Sequence, residues 1–98
     1  MSKNSSRIMK RRGSYQVYIV ECADGTYYAG STNHLERRLK LHNTGHGAKY
    51  VRGREPVRLV YHKVYRDYTR AARAEYALKQ LTRQQKKQFV ASNQPGRS

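Results

Sequence analysis

The chain carries only six acidic side chains, so each one can be weighed as a catalytic or metal-binding group. Glu75 differs from the rest because, on a helical wheel, it lies beside Ala71 and close to Leu78, at the inner edge of an apolar stripe. A carboxylate in that position needs a cation, a metal ion or several hydrogen-bond donors. Two interpretations are open: a salt bridge to a nearby arginine, or a ligand for a hard divalent cation, because magnesium is usually held by one carboxylate, waters and phosphate oxygens.

Arg38 and His42 are four residues apart in a segment that predicts a helix, so their side chains share one side of it. Leu35 and Leu39 lie on that side too, which turns it toward the protein interior rather than fully into solvent. An arginine in this position suits bidentate contact with two phosphate oxygens. His42 has two open interpretations: a hydrogen-bonded structural residue, or a group that takes part in proton transfer.

Nine tyrosines against a single phenylalanine is an unusual aromatic balance. Most of them must be packing residues, since tyrosine combines a large apolar area with a polar tip, and some could stack on bases. Four lie on one predicted β-hairpin, at positions Tyr15, Tyr18, Tyr27 and Tyr28. The geometry of that hairpin therefore decides which tyrosines can act together.

The length of the hairpin loop sets which face of the sheet each tyrosine occupies. If the loop is the two residues Asp24-Gly25, Tyr18 and Tyr28 face opposite sides. If Ala23 is also in the loop and Gly25 is left-handed, Tyr28 becomes the diagonal neighbour of Tyr18 on the same face. A site that uses both tyrosines requires the three-residue loop.

Aromatic and β-branched residues, interrupted by turn signals, predict three strands, at residues 15–22, 26–30 and 57–65. Asn33 followed by Glu36 has the capping-box pattern and predicts the start of a first helix, which ends within 43–47. Two further helices are predicted, one capped by Thr69 and reaching about residue 81, the other running from residue 82 or 83 to about 91. Residues 48–56 lack apolar periodicity and predict a structured loop with a short helical turn.

The resulting order is β-β-α-β-α-α, which predicts an α+β fold with a three-stranded, mainly antiparallel sheet flanked by helices. The length of 98 residues fits one domain, predicted at 14–91, with a basic flexible arm at 1–13 and a disordered tail at 92–98. The arm has no apolar region and is not a secretory signal. The single cysteine, Cys22, excludes an intrachain disulfide and fits a reducing compartment.

The chain has 21 Lys and Arg residues against six acids, a formal net charge of +15. Such a charge opposes compaction of a small chain and is expected when the partner is a polyanion. A generally basic or ribosome-associated protein would carry the same charge. We expect a nucleic-acid partner, contacted by basic side chains of the first helix and the following loop: Arg37, Lys49, Arg52 and Arg54. No apolar run approaches the about 20 residues of a membrane span, so no membrane association is expected.

Four short motifs, in this order and spacing, resemble the GIY-YIG endonuclease superfamily. Gln16-Val17-Tyr18 and Tyr28-Ala29-Gly30 are similar to its two signature triplets, and the second tyrosine follows the first by ten positions. Arg38 follows the second tyrosine by ten residues, and Glu75 lies in ARAEYALKQL, which looks like the metal-binding glutamate segment of the family. The stretch GHGAKYVRGREPVRLVY is similar to the short stand-alone bacterial members. The resemblance covers residues 15–90.

The resemblance implies a nuclease fold with a small antiparallel sheet, as in homing endonucleases, some restriction enzymes and the incision subunit of nucleotide-excision repair. It implies that Tyr18 and Tyr28 are the two site tyrosines, Arg38 the phosphate clamp, His42 an auxiliary polar residue and Glu75 the metal ligand. The signature differs in this chain, where Gln16 replaces the first glycine and Ala29 the isoleucine.

The expected activity is metal-dependent hydrolysis of phosphodiester bonds, with one Mg²⁺, or Mn²⁺ in its place, and with DNA favoured over RNA. Structured or damaged DNA is the expected substrate, in keeping with a role in DNA repair. The alternative is a non-catalytic nucleic-acid-binding module on the same scaffold. We expect a monomer or weak dimer, located in the cytoplasm with the nucleoid in a bacterium, or in an organelle or nucleus otherwise.

Overall fold

The computed structural model describes residues 15–93, so the predicted arm and residues 94–98 of the predicted tail lie outside the described residues. The elements appear in the predicted order: β1 (Tyr15–Glu21), β2 (Tyr27–Thr32), α1 (Leu35–Asn43), β3 (Arg58–Tyr65), α2 (Tyr68–Lys79) and α3 (Arg83–Ser92). The protein has an α+β fold, as predicted. Within residues 15–93 every helix is too short or too polar to span a bilayer.

The three strands form one antiparallel sheet in the order β2-β1-β3. Tyr18 on β1 is opposite Gly30 on β2. Cys22 and Thr26 close the hairpin through a 2.8 Å backbone hydrogen bond, which leaves three residues in the loop, and the last of them, Gly25, has φ of +84°. The three-residue loop is therefore confirmed, and Tyr18 and Tyr28 share a face of the sheet.

The central strand is buried on both faces because helices or loops cover each of them. Its residues 17–20 are all buried, as expected for a strand enclosed on two sides. On the face that we call the Val17 face, Val17 and Ile19 pack with residues of α2 and α3: Ala71, Leu78 and Val90. On the opposite face, the Tyr18 face, Tyr18 and Val20 pack with residues of α1 and the loop after it: Leu35, Leu39, Val51 and Val57.

The capping box predicted for the first helix is wrong. α1 begins at Leu35 with His34 as its N-cap, and no side chain caps it. The hydroxyl of Thr32 accepts the backbone N–H of His34 at 3.1 Å, which holds the chain in a turn and delays the helix by one residue. Glu36 therefore lies in the first turn, where its charge favours the helix dipole, instead of pairing with Asn33.

The second helix, in contrast, starts earlier than predicted. Asp67, not Thr69, is its N-cap, and the Asp67 carboxylate accepts the backbone N–H of Arg70 at 2.8 Å. A carboxylate caps the positive helix terminus better than a hydroxyl does, so the helix begins at the first position that offers one. The prediction for the third helix is confirmed, with Thr82 and Gln85 forming a reciprocal capping box.

Residues 44–57 form a structured loop across the Tyr18 face. The backbone N–H of Arg52 donates to the carbonyls of both Ala48 and Lys49, which makes the predicted helical turn. Asn43 anchors the end of the loop, since its amide accepts the Val57 N–H at 2.7 Å and donates to the Val57 carbonyl at 3.2 Å. These bonds hold the loop beside the two tyrosines.

Candidate active site

Tyr18 lies on the central strand, and its hydroxyl is bound to α1. The side chain is only 1% exposed, and its oxygen lies 2.9 Å from Nε2 of His42. His42 is fully buried in the last turn of α1, because Leu35 and Leu39 on the same side of that helix pack into the Tyr18-face core. The bond ties the strand to the helix at the centre of the predicted site.

The Tyr28 ring lies next to the rings of Tyr18 and His42, and Gly30 provides the space for it. The ring centres of Tyr18 and Tyr28 are 6.4 Å apart, and the Tyr28 ring meets the His42 ring edge-on at 5.6 Å. A Cβ at Gly30 would lie 2.7 Å from the Tyr18 hydroxyl and 2.9 Å from Cε2 of Tyr28. The glycine that ends the second triplet therefore leaves the space in which the two phenol rings meet.

The second ring nitrogen of His42, Nδ1, is buried and has no hydrogen-bond partner among the described residues. It packs against Gly47, where any added Cβ would overlap the His42 ring. A proton on Nδ1 would be a buried, unbonded N–H, whereas a proton on Nε2 is donated to the Tyr18 oxygen. The Nε2–H tautomer is therefore favoured, and the Tyr18 hydroxyl proton stays available for another acceptor.

Arg38 acts on both members of this pair through its charge. Burial raises the pKa of Tyr18 above its ordinary value of 10.0, and Tyr28 and Glu75 raise it further, against the lowering effect of Arg38. Burial lowers the pKa of His42 below its ordinary value of 6.5, and the Arg38 charge lowers it further. At neutral pH the pair is therefore an uncharged phenol and an uncharged imidazole.

The free energy of unfolding should decline on both sides of neutral pH. Because the pKa of His42 lies below 6.5 in the folded protein, the unfolded chain takes up the proton first, so stability is lost as the pH falls from about 6.5 through the folded pKa. Because the pKa of Tyr18 lies above 10.0 in the folded protein, the unfolded chain ionises first, and stability is lost as the pH rises above about 10.

Urea unfolding midpoints, measured from about pH 7 to about pH 5.5, test the acid side of this prediction. The parent midpoint should fall over this interval. The midpoint of His42→Gln should fall much less over the same interval. The midpoint of His46→Gln, in which an exposed histidine is replaced, should fall as much as that of the parent. A parent midpoint that does not change between the two pH values would contradict the assignment of a neutral, buried His42.

Glu75, on α2, contacts strand β2 next to the residues that hold the two tyrosines. Its carboxylate accepts the Ser31 hydroxyl at 2.6 Å, and Ser31 is the residue after Gly30. The Lys79 ammonium, one helical turn away, lies 3.6 Å from the other carboxylate oxygen. The Glu75 side chain is 26% exposed, so it is open to solvent on one side. The salt bridge expected under the simpler interpretation exists, although its cation is a lysine rather than an arginine.

The other five acids are engaged or exposed elsewhere. Glu21, Asp24 and Asp67 pair with arginines, Glu55 accepts a backbone N–H within the loop, and Glu36 is exposed on α1. Within residues 15–93 no group of three or more His, Cys, Asp or Glu side chains converges on a metal position. A cation at this site would have a single protein carboxylate, Glu75, and that donor set suits a magnesium ion that keeps most of its waters.

The four basic residues predicted to bind nucleic acid occupy two kinds of environment. Arg37 on α1 and Lys49 are exposed. Arg52 donates to the Gly47 carbonyl at 3.1 Å, and Arg54 binds the Asp24 carboxylate at 2.6 Å, so both also hold the loop in place. All four lie on α1 or on the loop that follows it.

Three further residues border the site. Tyr50, 43% exposed, stacks on Tyr28 with ring centres 6.0 Å apart, and Lys79 places its ammonium 5.0 Å from the centre of the Tyr28 ring. Ser31 holds Glu75. Of these, only Lys79 had a signal in the sequence, because it lies four residues after Glu75 on a predicted helix. The Tyr50 and Ser31 contacts depend on tertiary packing between distant segments.

A cleft of about 620 Å³ opens elsewhere on the protein, between the end of the sheet and α3. Its polar lining includes Glu21, Arg58 and Lys87, and none of the predicted site residues borders it. The cleft is therefore separate from the candidate site around Tyr28 and Glu75.

The sheet order, the paired tyrosines and the helix-borne arginine and glutamate define a nuclease-type domain. The chain belongs to the GIY-YIG family, since residues 14–88 match the GIY-YIG catalytic domain. Within that family it is similar to small proteins named UPF0213. One from Bacillus cereus is 51% identical over 78 residues, which cover 80% of this chain and 81% of the relative. One from Halobacterium salinarum is 50% identical over 72 residues, 74% of this chain and 94% of the relative.

Two solved structures share the fold. The solution structure of the UPF0213 protein BH0048 from Bacillus halodurans is 44% identical, with a TM-score of 0.55, over 84% of this chain and 87% of that one. The solution structure of EF2693 from E. faecalis is 39% identical, with a TM-score of 0.57, over 84% of this chain and 88% of that one.

Proposed function

We propose that the protein is a metal-dependent endonuclease that hydrolyses phosphodiester bonds in DNA. The observation that carries this proposal is the cluster around Gly30, where the Tyr18–His42 pair and the Tyr28 ring are in contact. The Glu75 carboxylate is held by Ser31, the next residue of β2, and its charge helps to raise the pKa of Tyr18. Membership of the GIY-YIG family supports the nuclease assignment.

The two tyrosines are given different roles by their surroundings. Tyr18 is buried and its pKa is raised, so it is a poor base, and its hydroxyl is instead positioned by His42 to donate a hydrogen bond to the attacking water or to a phosphate oxygen. Tyr28 is partly exposed at the mouth of the site. We assign it the role of a proton relay, whose oxygen accepts the proton of the attacking water while its own hydroxyl proton passes to solvent.

Arg38 and Glu75 supply the electrostatic part of the proposed reaction. The Arg38 guanidinium binds phosphate oxygens and stabilises the charge that develops on them. Glu75 would hold one Mg²⁺, which Mn²⁺ can replace, because its carboxylate is open to solvent and is the single acid at the site. When bound, the cation supplies positive charge that stabilises the leaving 3′-oxygen.

The proposed substrate is structured or damaged DNA, held by its backbone and cut by a monomer or weak dimer. The side chains proposed to contact phosphates are basic, and we expect binding to weaken steeply with salt. In a bacterial cell this charge would direct the protein to the nucleoid, and a repair function is consistent with these substrates.

One observation favours a second candidate, a nucleic-acid-binding module without catalysis. The contacts of Glu75 with Ser31 and Lys79 satisfy its carboxylate without any metal ion, so the residue also makes sense as a structural acid. This candidate predicts tight, salt-dependent binding and no dependence on divalent cations.

A substrate panel separates the two candidates. The parent and Arg38→Ala would be incubated with duplex, nicked, branched and single-stranded DNA, with Mg²⁺, with Mn²⁺ and with EDTA. We expect metal-dependent nicking of at least one substrate, reduced about a hundredfold by Arg38→Ala, since loss of a positioned charge at the reacting group has effects of that order.

Arg73→Ala is the matched control, because Arg73 is an exposed arginine on α2 and the substitution removes the same charge. It should retain most of the parent rate. Tight binding of all four DNA forms without cleavage would reject the nuclease and leave the binding module.

A further inference from the structure

Lys79 contacts two residues of the candidate site. Its ammonium is 3.6 Å from Oε2 of Glu75 and 5.0 Å from the centre of the Tyr28 ring. Glu75 precedes Lys79 by four residues on α2, the favourable order for such a pair on a helix. The side chain is 44% exposed, so the ammonium can move without unfolding the helix.

A surface ion pair of this kind stabilises a fold very little. Its position at this site is the informative feature, because the ammonium neutralises the carboxylate to which we assign the metal ion. An ammonium group and a divalent cation that share Oε2 repel each other, so Lys79 opposes binding of a cation there. The repulsion is relieved when the ammonium moves away from Glu75.

A displaced Lys79 remains next to Tyr28. Its flexible four-carbon chain carries three N–H donors, and lysine binds phosphate as a compact point charge. The polyanionic backbone that occupies the site is the nearest negative charge once Glu75 is neutralised by the cation.

We propose that Lys79 is a second cation of the active site. Its ammonium pairs with the Glu75 carboxylate in the free protein and contacts the scissile phosphate when the divalent ion binds. This inference rests on the proposed nuclease function and extends it. It assigns Lys79 two effects of opposite sign: it opposes binding of the metal ion, and it accelerates cleavage once the metal ion is bound.

The test uses Lys79→Met, which keeps the length and the helix propensity of the side chain but removes the charge. Affinity for Mn²⁺ is measured on nucleic-acid-free protein by electron paramagnetic resonance, and cleavage is measured separately at saturating Mn²⁺. We expect Mn²⁺ to bind about three- to fivefold more tightly than to the parent, the effect of removing one exposed competing charge. Cleavage should be at least about tenfold slower.

Lys87→Met is the matched control. Lys87 is an exposed lysine on α3, and within residues 15–93 it pairs with neither Glu75 nor the site tyrosines Tyr18 and Tyr28. The substitution corrects for the general effect of a lower net charge and should leave both measurements close to the parent. Lys79→Arg should keep the weaker Mn²⁺ affinity of the parent and recover part of the rate.

The outcomes separate this inference from the function on which it rests. If the parent binds Mn²⁺ and cleaves, but Lys79→Met binds it no more tightly than Lys87→Met does, Lys79 does not compete at Glu75 and the inference is wrong while the nuclease stands. Tighter binding with an unchanged rate would reject the phosphate contact. A parent that neither binds Mn²⁺ nor cleaves would overturn both proposals.

Discussion

Glu75→Gln is expected to reduce DNA cleavage by about three orders of magnitude, equivalent to about 4 kcal/mol of transition-state stabilisation. Glutamine keeps an oxygen that can accept the Ser31 hydroxyl, so the contact between α2 and β2 survives and the substitution removes only the charge. No other acid is available to compensate, because the remaining five are engaged or exposed elsewhere in residues 15–93. DNA binding should be retained, since a negative charge has been removed from a basic protein.

The measurement is initial nicking rate in Mg²⁺ together with a binding isotherm in EDTA. Glu36→Gln serves as the control, because it also removes an exposed carboxylate but lies on the first turn of α1. Each preparation should also be tested for contaminating nucleases, which co-purify readily with a basic protein. Equal rates for Glu75→Gln and the parent would rule out Glu75 as the metal ligand.

Gly47→Ala is expected to be the most damaging alanine substitution among the glycines of residues 15–93, costing about 3 kcal/mol of unfolding free energy. The added Cβ would overlap the His42 ring and come within 2.7 Å of the His42 Cα, so either the loop or α1 has to move. His42 is fully buried and bonded to Tyr18, which means that the movement also disturbs the candidate site. Both the urea midpoint and the cleavage rate should therefore fall.

Gly53→Ala is the appropriate comparison within the same loop. Its added Cβ would meet no atom within 4 Å, but its φ of +86° is unfavourable for alanine. The cost there should be about 1 kcal/mol, from backbone strain alone. If Gly47→Ala proves no less stable than Gly53→Ala, the close packing of Gly47 on His42 is not a determinant of stability.

Local patterns in the sequence were sufficient for the sheet and for the position of His42. Aromatic and β-branched residues marked the two strands of the hairpin, but two loop lengths stayed open. The structure shows the three-residue loop with a left-handed Gly25, which places Tyr18 and Tyr28 on one face. His42 was placed on the inner side of α1 by simple helical spacing. These features depend on residues close together in the chain.

Features that depend on long-range contacts were not predictable. The Ser31–Glu75 bond joins residues 44 positions apart, and the packing of Gly47 against His42 depends on how the loop crosses the sheet. The N-cap residues of the first two helices were predicted at the wrong positions, because several polar residues precede each helix. The turn that leads into each helix selects which residue becomes its N-cap.

The three-residue loop between β1 and β2 lies at the end of the hairpin, outside the pairing that places Tyr18 opposite Gly30. The buried residues of β1 and β2 hold that register, because a one-residue slip would turn them toward solvent. Residues added at the loop tip should therefore lengthen the loop at small cost and leave Tyr28 on the Tyr18 face. The tip offers a place for grafting a sequence-reading element without rebuilding the sheet.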